Sequence, residues 1–459
     1  MTTYEEKYIE SLKSDIPDDV LRYRKAGMFK EAEEAIDRWL TRNASKEMNE
    51  RLLIEKEHLG LLRGEFPYTE EEALAIAQQD IPEFTAEDLK KLDDDGVCEW
   101  IFIDGKKHYF DRFWETATHV VKALSDRVHG TEGNTEAKAL LTEARTAMRE
   151  TGSAKYRTTA EVTYRLNDDV FTPGMDLKVW LPIPAERYQT SDVRILSTSH
   201  EVKETAGNDA PARTVFFHEK LEENTTFSVR YSFVTDMQYN DPRSEADKAV
   251  AGTYDFDVDE LQPHIRFSPY LRALSQEIIG DEKNPVRIAE KAFDYVTSKV
   301  NYSYMRDYFL LDDIPQYCAR NLRGDCGVQA LLFITLCRMN GVPARWQSGM
   351  CSAGENDFGA HDWAMFYAEP FGWLFADPSY GGSAYKDGDE ERRWFYFGNL
   401  DPFRVTANHE FQAPLTPEKK YRRYDPYDNQ AGEAETPDFG ISGGDRTISR
   451  HIISIEKLD

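Results

Sequence analysis

The chain has 459 residues with 56 basic and 83 acidic side chains, a formal net charge of −27. A chain this acidic repels nucleic-acid phosphates and anionic lipid, which excludes both as general partners. With 40% hydrophobic and 12% aromatic residues it is not a disordered chain, and its length leaves room for roughly two to four domains.

Five cysteines, an odd number, do not build a disulfide framework, so a reducing compartment is expected. The N-terminus MTTYEEKYIESLKSDIPDD has no basic stretch followed by an apolar one. Nowhere do about 18 apolar residues run together, as a membrane span requires. The expectation is a cytoplasmic protein without a membrane segment.

Residues 1–150 carry the helical period. Phe29, Ala32, Ile36 and Leu40 fall at three- and four-residue steps, as do Met48, Leu52, Leu59 and Leu62 on a similar stripe. One interruption is predicted near 99–110. Two apolar and aromatic runs in WIFIDGKKHYF flank Asp104-Gly105, a strong hairpin signal. The order helix, hairpin, helix loosely suggests a winged-helix arrangement, although the charge argues against DNA.

From 155 to 240 the period becomes two. AEVTYRL, LKVWLPIP, TVFFHEK and TFSVRYSFV are separated by Gly, Pro, Asn and Asp, which predicts an antiparallel β-sandwich-like domain. Residues 261–405 form a third unit. The helices PYLRALSQEIIG and PVRIAEKAFDYVTSKV come first, then a helix from Cys326, then strand-like runs around 361–377. The tail, 406–459, is rich in Pro, Gly, Tyr and charge. Its ISRHIISIEKL has strand character and is expected to return to an earlier domain. The fold class predicted is α+β, and no internal repeat is present.

The segment NLRGDCGVQALLFITLCRMNGVPAR reads as a helix with labelled ends. Asp325 is a good N-cap, and Val328, Leu331, Leu332, Thr335 and Met339 make one apolar face. Gly341 stops the helix, and Pro343 follows. Cys326 therefore falls in the first turn. There the helix dipole favours a thiolate, and free backbone N–H groups can meet a developing oxyanion. Gly324 and Gly327 leave room for a substrate backbone.

A thiol nucleophile needs a base, and the base an orienter. His361 opens the strand-like HDWAMFYAEP, and Asp377 closes GWLFADPSYG. EPFG between them is a turn signal. A turn centred at Glu369 puts His361 opposite Asp377; one centred within Pro370–Phe371 slips that register. Asp362 points to the other strand face, which makes it a poor substitute for Asp377.

These segments, RGDCGVQALLFITLCRMNGVPAR, AHDWAMFY and GWLFADPSYG, resemble the transglutaminase-like superfamily of papain-like cysteine enzymes. Their order and spacing match, with 35 residues from Cys326 to His361 and 16 from His361 to Asp377. KVNYSY resembles the lead-in to the cysteine helix, and VWLPIP the β domain that often precedes the core, so the resemblance covers about 155–400. It implies a papain-like α+β core with Cys326 as nucleophile, His361 as base and Asp377 as orienter. The implied chemistry is acyl transfer on a peptide or protein amide through a thioester, as in a peptidase, amidase or transglutaminase. Many members place a second oxyanion donor upstream of the cysteine. No Trp lies between Trp180 and Cys326, so Tyr304 and Gln316 are the candidates.

No metal or cofactor is called for. Cys98, Cys318 and Cys351 lack ligand spacing, and Cys337 sits in an apolar run as core packing. Asp93-Asp94-Asp95-Gly96 faintly resembles a calcium loop, but position twelve would be Phe102 rather than Glu. The competing expectation is a catalytically silent fold used as a binding scaffold. The geometry between Cys326 and His361 is what separates the two.

Overall fold

The computed structural model describes residues 4–12, 14–42, 45–130, 135–352, 358–424 and 427–458. Helices dominate up to Thr151. On Phe29–Leu40 the stripe residues Phe29, Ala32 and Ile36 are buried, and on Lys46–Glu65 so are Leu52, Leu59 and Leu62. The two stripes meet in one core with Phe66, Ile103 and Phe110. Thr69 with Glu72, and Thr85 with Asp88, form reciprocal capping boxes that start two further helices. Asp104 (φ 47°) and Gly105 (φ 84°) make the two-residue turn between strands Trp100–Ile103 and Lys106–Tyr109. Tyr68–Thr69 adds a third strand to that hairpin.

The β region holds two four-stranded antiparallel sheets. Strand Ser153–Leu166 alternates half-buried and buried residues along its whole length, as period two demands. Ala160, Val162 and Tyr164 from it meet Leu177, Val179, Phe217 and Tyr231 in a shared core. Each sheet takes one strand from the tail. Glu433–Glu435 pairs with Met175–Pro182, and Arg446–Leu458 pairs with Ser153–Leu166. The tail thus closes one edge of each sheet.

The third unit packs helices against a five-stranded antiparallel sheet. Its order is Phe397–Gly398, Gly372–Ala376, Phe358–Ala368, Ala344–Ser352, Arg404–Asn408. The helix Cys326–Met339 runs through its centre. A one-faced helix was expected, but every residue from Cys326 to Cys337 is buried. Neighbouring helices cover what the sheet does not, which is why ALLFITLC is apolar all round. The molecule is α+β, and no helix among the described residues is long and apolar enough to cross a membrane.

Candidate active site

Asp325 caps the cysteine helix, its Oδ1 accepting from the Val328 N–H at 3.0 Å. Gly341 (φ 78°) ends it in the left-handed region. Cys326 opens the first turn at the floor of a cleft of about 670 Å³. Its Sγ donates to Asp362 Oδ2 at 3.3 Å. Burial pushes the thiol well above its ordinary range, and the charges of Asp362 and Asp325 push it further. In this arrangement Cys326 is a protonated thiol.

Strand parity explains the partner. Trp346 pairs with Ala364, and both turn towards the cysteine helix, as does Phe366, whose ring meets Phe333. Asp362 belongs to that set. Gly327 packs so closely against it that an added Cβ would lie 2.8 Å from Asp362 Oδ2 and 2.8 Å from Trp346 Cη2. His361, one residue away, leaves the strand on the opposite face.

His361 meets Asp377 there. The imidazole Nε2 and Asp377 Oδ2 are 2.8 Å apart, both side chains buried. The register is the slipped one. Ala364 pairs with Ala376 and Ala368 with Gly372, which centres the turn on Pro370 and sets Asp377 beyond Trp363 rather than opposite His361. Asp377 still reaches because the strand has ended. It caps the helix Pro378–Lys386, its Oδ1 accepting from Tyr380 N–H at 3.0 Å and Ser379 Oγ at 3.1 Å. Arg404 Nη1 donates to Asp377 Oδ2 at 2.9 Å, and Arg404 Nη2 to Asp401 Oδ2 at 2.6 Å. Burial alone would raise the Asp377 carboxyl. The charges of His361 and Arg404 reverse this and hold it well below the usual carboxylate range.

The three residues singled out by sequence are therefore brought together only in part. His361 and Asp377 pair, while no hydrogen bond among the described residues joins Cys326 to His361. Of the oxyanion candidates, Tyr304 lines the cleft with Cys326. Its ring carries the Arg112 guanidinium at 3.6 Å. Gln316 is placed elsewhere, which corrects the expectation for it. It sits in the first turn of Ile314–Asn321, accepts from Ser268 Oγ at 2.7 Å, and lines a different cavity beside Arg24 and His58. Tyr308, bonded to Asp325, stands nearer the cysteine turn.

Sequence reasoning missed three participants. Asp362 was legible by parity, but nothing in the sequence said which face carries the cysteine. Arg404 and Gln430 come from segments without a motif. Gln430 Nε2 donates to Asp362 Oδ1 at 2.6 Å and to the His361 carbonyl at 3.2 Å. None of the five cysteines is in a disulfide, and no group of three or more His, Cys, Asp or Glu among the described residues could hold a metal ion.

Residues 272–378 match the model of the transglutaminase-like superfamily, a span that holds Cys326, His361 and Asp377. This core has a transglutaminase-like fold. Solved structures similar to the chain include a candidate cysteine protease from Cytophaga hutchinsonii, at 17% identity over 67% of this chain and 91% of that one, with a TM-score of 0.39. The periplasmic domain of TgpA from Pseudomonas aeruginosa matches at 14% identity over 55% of this chain and 95% of its own, with a TM-score of 0.24. A candidate protease from Parabacteroides distasonis matches at 9% identity over 50% and 60%, with a TM-score of 0.21. No curated protein matches the chain.

Proposed function

We propose that this chain is a cysteine-dependent acyl hydrolase or acyltransferase acting on amides, with Cys326 as nucleophile, His361 as base and Asp377 as orienter. The observation that carries the reading is the buried array His361–Asp377–Arg404, one residue along the strand from the Asp362 that touches Cys326. Such an array keeps an imidazole in one tautomer and stabilises it once protonated.

Turnover on this reading requires an exchange at the sulfur. Asp362 withdraws, the strand turns at residues 361–362 to bring the imidazole of His361 to the cysteine face, and the thiol proton passes to it. The thiolate then attacks the amide carbonyl carbon, and the C–N bond breaks as the imidazolium gives its proton to the departing amine. The thioester is resolved by water or by an amine. Hydrogen bonds of catalytic groups often tighten only when substrate is bound.

Peptide, glutamine-amide and amine substrates, offered to the wild type and to Cys326→Ala, test the reading. The variant should lose about a thousandfold or more of any turnover, the scale seen when a covalent nucleophile is removed. Unchanged turnover in the variant would sink it. The second reading is a silent fold that serves as a scaffold. It is favoured by the Cys326–Asp362 bond, which holds the sulfur as a thiol. Wild-type protein inert to every substrate class would favour it.

A further inference from the structure

Tail residues 427–431, ahead of the strand Glu433–Glu435, line the cleft through Asp428, Gln430 and Ala431 and are anchored on several sides. Asn408 Nδ2 donates to the Tyr427 carbonyl at 3.0 Å, and Tyr427 Oη lies 2.7 Å from His264 Nε2. Asn429 Nδ2 donates to the carbonyls of Arg213 at 2.9 Å and Ala407 at 3.0 Å. Arg450, on the terminal strand, donates from Nε and Nη2 to the Gln430 carbonyl at 3.1 and 3.0 Å. Gln430 is thus held firmly by its backbone, and its buried side chain is aimed at two neighbouring residues of the histidine strand.

Those two contacts define what Gln430 does. Its amide donates to Asp362 Oδ1, while Asp362 Oδ2 accepts from the sulfur of Cys326. The same amide holds the His361 carbonyl, which fixes the peptide between the two faces. We propose that Gln430 is a positioning residue that keeps Asp362 on Cys326 and His361 turned away, so that the C-terminal tail sets the resting state of the nucleophile. This inference rests on Cys326 being the nucleophile. It adds a control that the site's own core segment, 272–378, does not contain.

The chain of contacts runs from Arg450 through Gln430 and Asp362 to Cys326. A carboxylate beside a thiol disfavours the thiolate. Weakening the grip on Asp362 therefore favours ionisation of Cys326, and strengthening it opposes ionisation. The other titratable and charged groups around the cleft include Asp325 at the helix cap, Tyr302 and Tyr304 on the lead-in segment and Tyr308 after it, with Asp111, Arg112, Asp307, Asp428 and Arg450 further along the lining. Of these, Arg450 alone is bonded to Gln430 in the hydrogen bonds described above.

Alkylation of the full-length protein by iodoacetamide, mapped by peptide mass spectrometry across a pH series, tests this without needing turnover. Gln430→Met keeps the volume and removes the donor. Cys326 should then react about tenfold faster near neutral pH, the scale of one pKa unit, with its rate profile moved to lower pH. Cys337, buried on the same helix, should keep its wild-type rate. Asp362→Asn should move the profile the same way, and adding Gln430→Met to it should add nothing further. Gln430→Asn, which withdraws the donor but stays polar, serves if the methionine variant does not fold. An unmoved profile overturns the proposal. So does a parallel rise at Cys326 and Cys337, which would mean general loosening, or additive effects in the double variant. Because alkylation reads the thiol directly, an inactive wild type with a shifted Gln430 variant would sink only the enzymatic reading.

Discussion

The two faces of the strand Phe358–Ala368 handle buried carboxylates in opposite ways. On one face Asp377 is surrounded by charge. An imidazole and a guanidinium share its Oδ2, and burial is overruled, so the carboxyl stays ionised far below its ordinary range. On the other face Asp325 is held by neutral donors, the Tyr308 hydroxyl and the Val328 N–H. Burial wins there, and its carboxyl rises to about 6. Neutral hydrogen bonds satisfy geometry, but opposite charges are what offset the loss of water. One face is a prepared charge array. The other holds the nucleophile in its neutral form.

The comparison breaks most sharply at Arg404. Its guanidinium is fully buried and bonds both Asp377 and Asp401. Arg404→Met fills similar space but strands two carboxylates, which should cost about 3–5 kcal/mol, the scale for breaking a buried pair from one side. Urea unfolding near pH 7 measures it. The Asp377 carboxyl should also move up, because one of the charges that lowers it is gone. Since that group is depressed, its stabilisation is present above the ordinary carboxylate range and fades as pH falls through the folded value. The variant should therefore lose less stability on acidification than the wild type. A loss under about 1 kcal/mol, the size of an exposed pair, would mean the array is not what holds this face.

Gly327 sharpens the other face. Helix propensity alone predicts that Gly327→Ala stabilises by about 1 kcal/mol. The added methyl would instead press on Asp362 and Trp346, and still more closely on the Tyr308 hydroxyl. Trp346 is a rigid ring in the core and cannot swing aside. A net destabilisation of about 1–3 kcal/mol is expected, as for other overpacked sites. Thermal unfolding checks the sign. A stabilised variant would show that the contact between cysteine helix and strand is looser than described.

Much of this was legible in the chain because it is local. The cap at Asp325, the stop at Gly341 and the period of Ser153–Leu166 depend on residues a few positions apart, where propensity and spacing decide. The Asp104-Gly105 turn is of the same kind. What was not legible depends on which face meets which element. Parity placed His361 and Asp362 on opposite sides of a strand. It is the packing of Phe366 on Phe333 and the contact of Cys326 with Asp362 that put the cysteine helix on the Asp362 side. Arg404 lies 27 residues beyond Asp377, and Gln430 lies in a tail, rich in Pro, Gly, Tyr and charge, that carries no motif. No periodicity reports a contact that distant. The turn at EPFG left two registers open, and Asp377 reaches His361 in the slipped one only because its strand gives way to a helix.

The last expected effect concerns Asp325, and its sign is the most informative. A carboxyl raised to about 6 in the folded chain binds a proton that the unfolded chain, with an ordinary value near 4, has already lost. Its contribution is fully present below about pH 4 and is lost as pH climbs towards 6, opposite to Asp377. Asp325→Asn keeps a good N-cap while removing the charge. Relative to wild type, the variant should gain stability steadily between about pH 4 and 6, by about 2 kcal/mol in all. Urea midpoints across that interval resolve it. A difference that stays flat with pH would mean that Tyr308 and the helix N-terminus already stabilise the carboxylate as well as water does. The two faces of the strand would then differ only in their partners, not in how they treat charge.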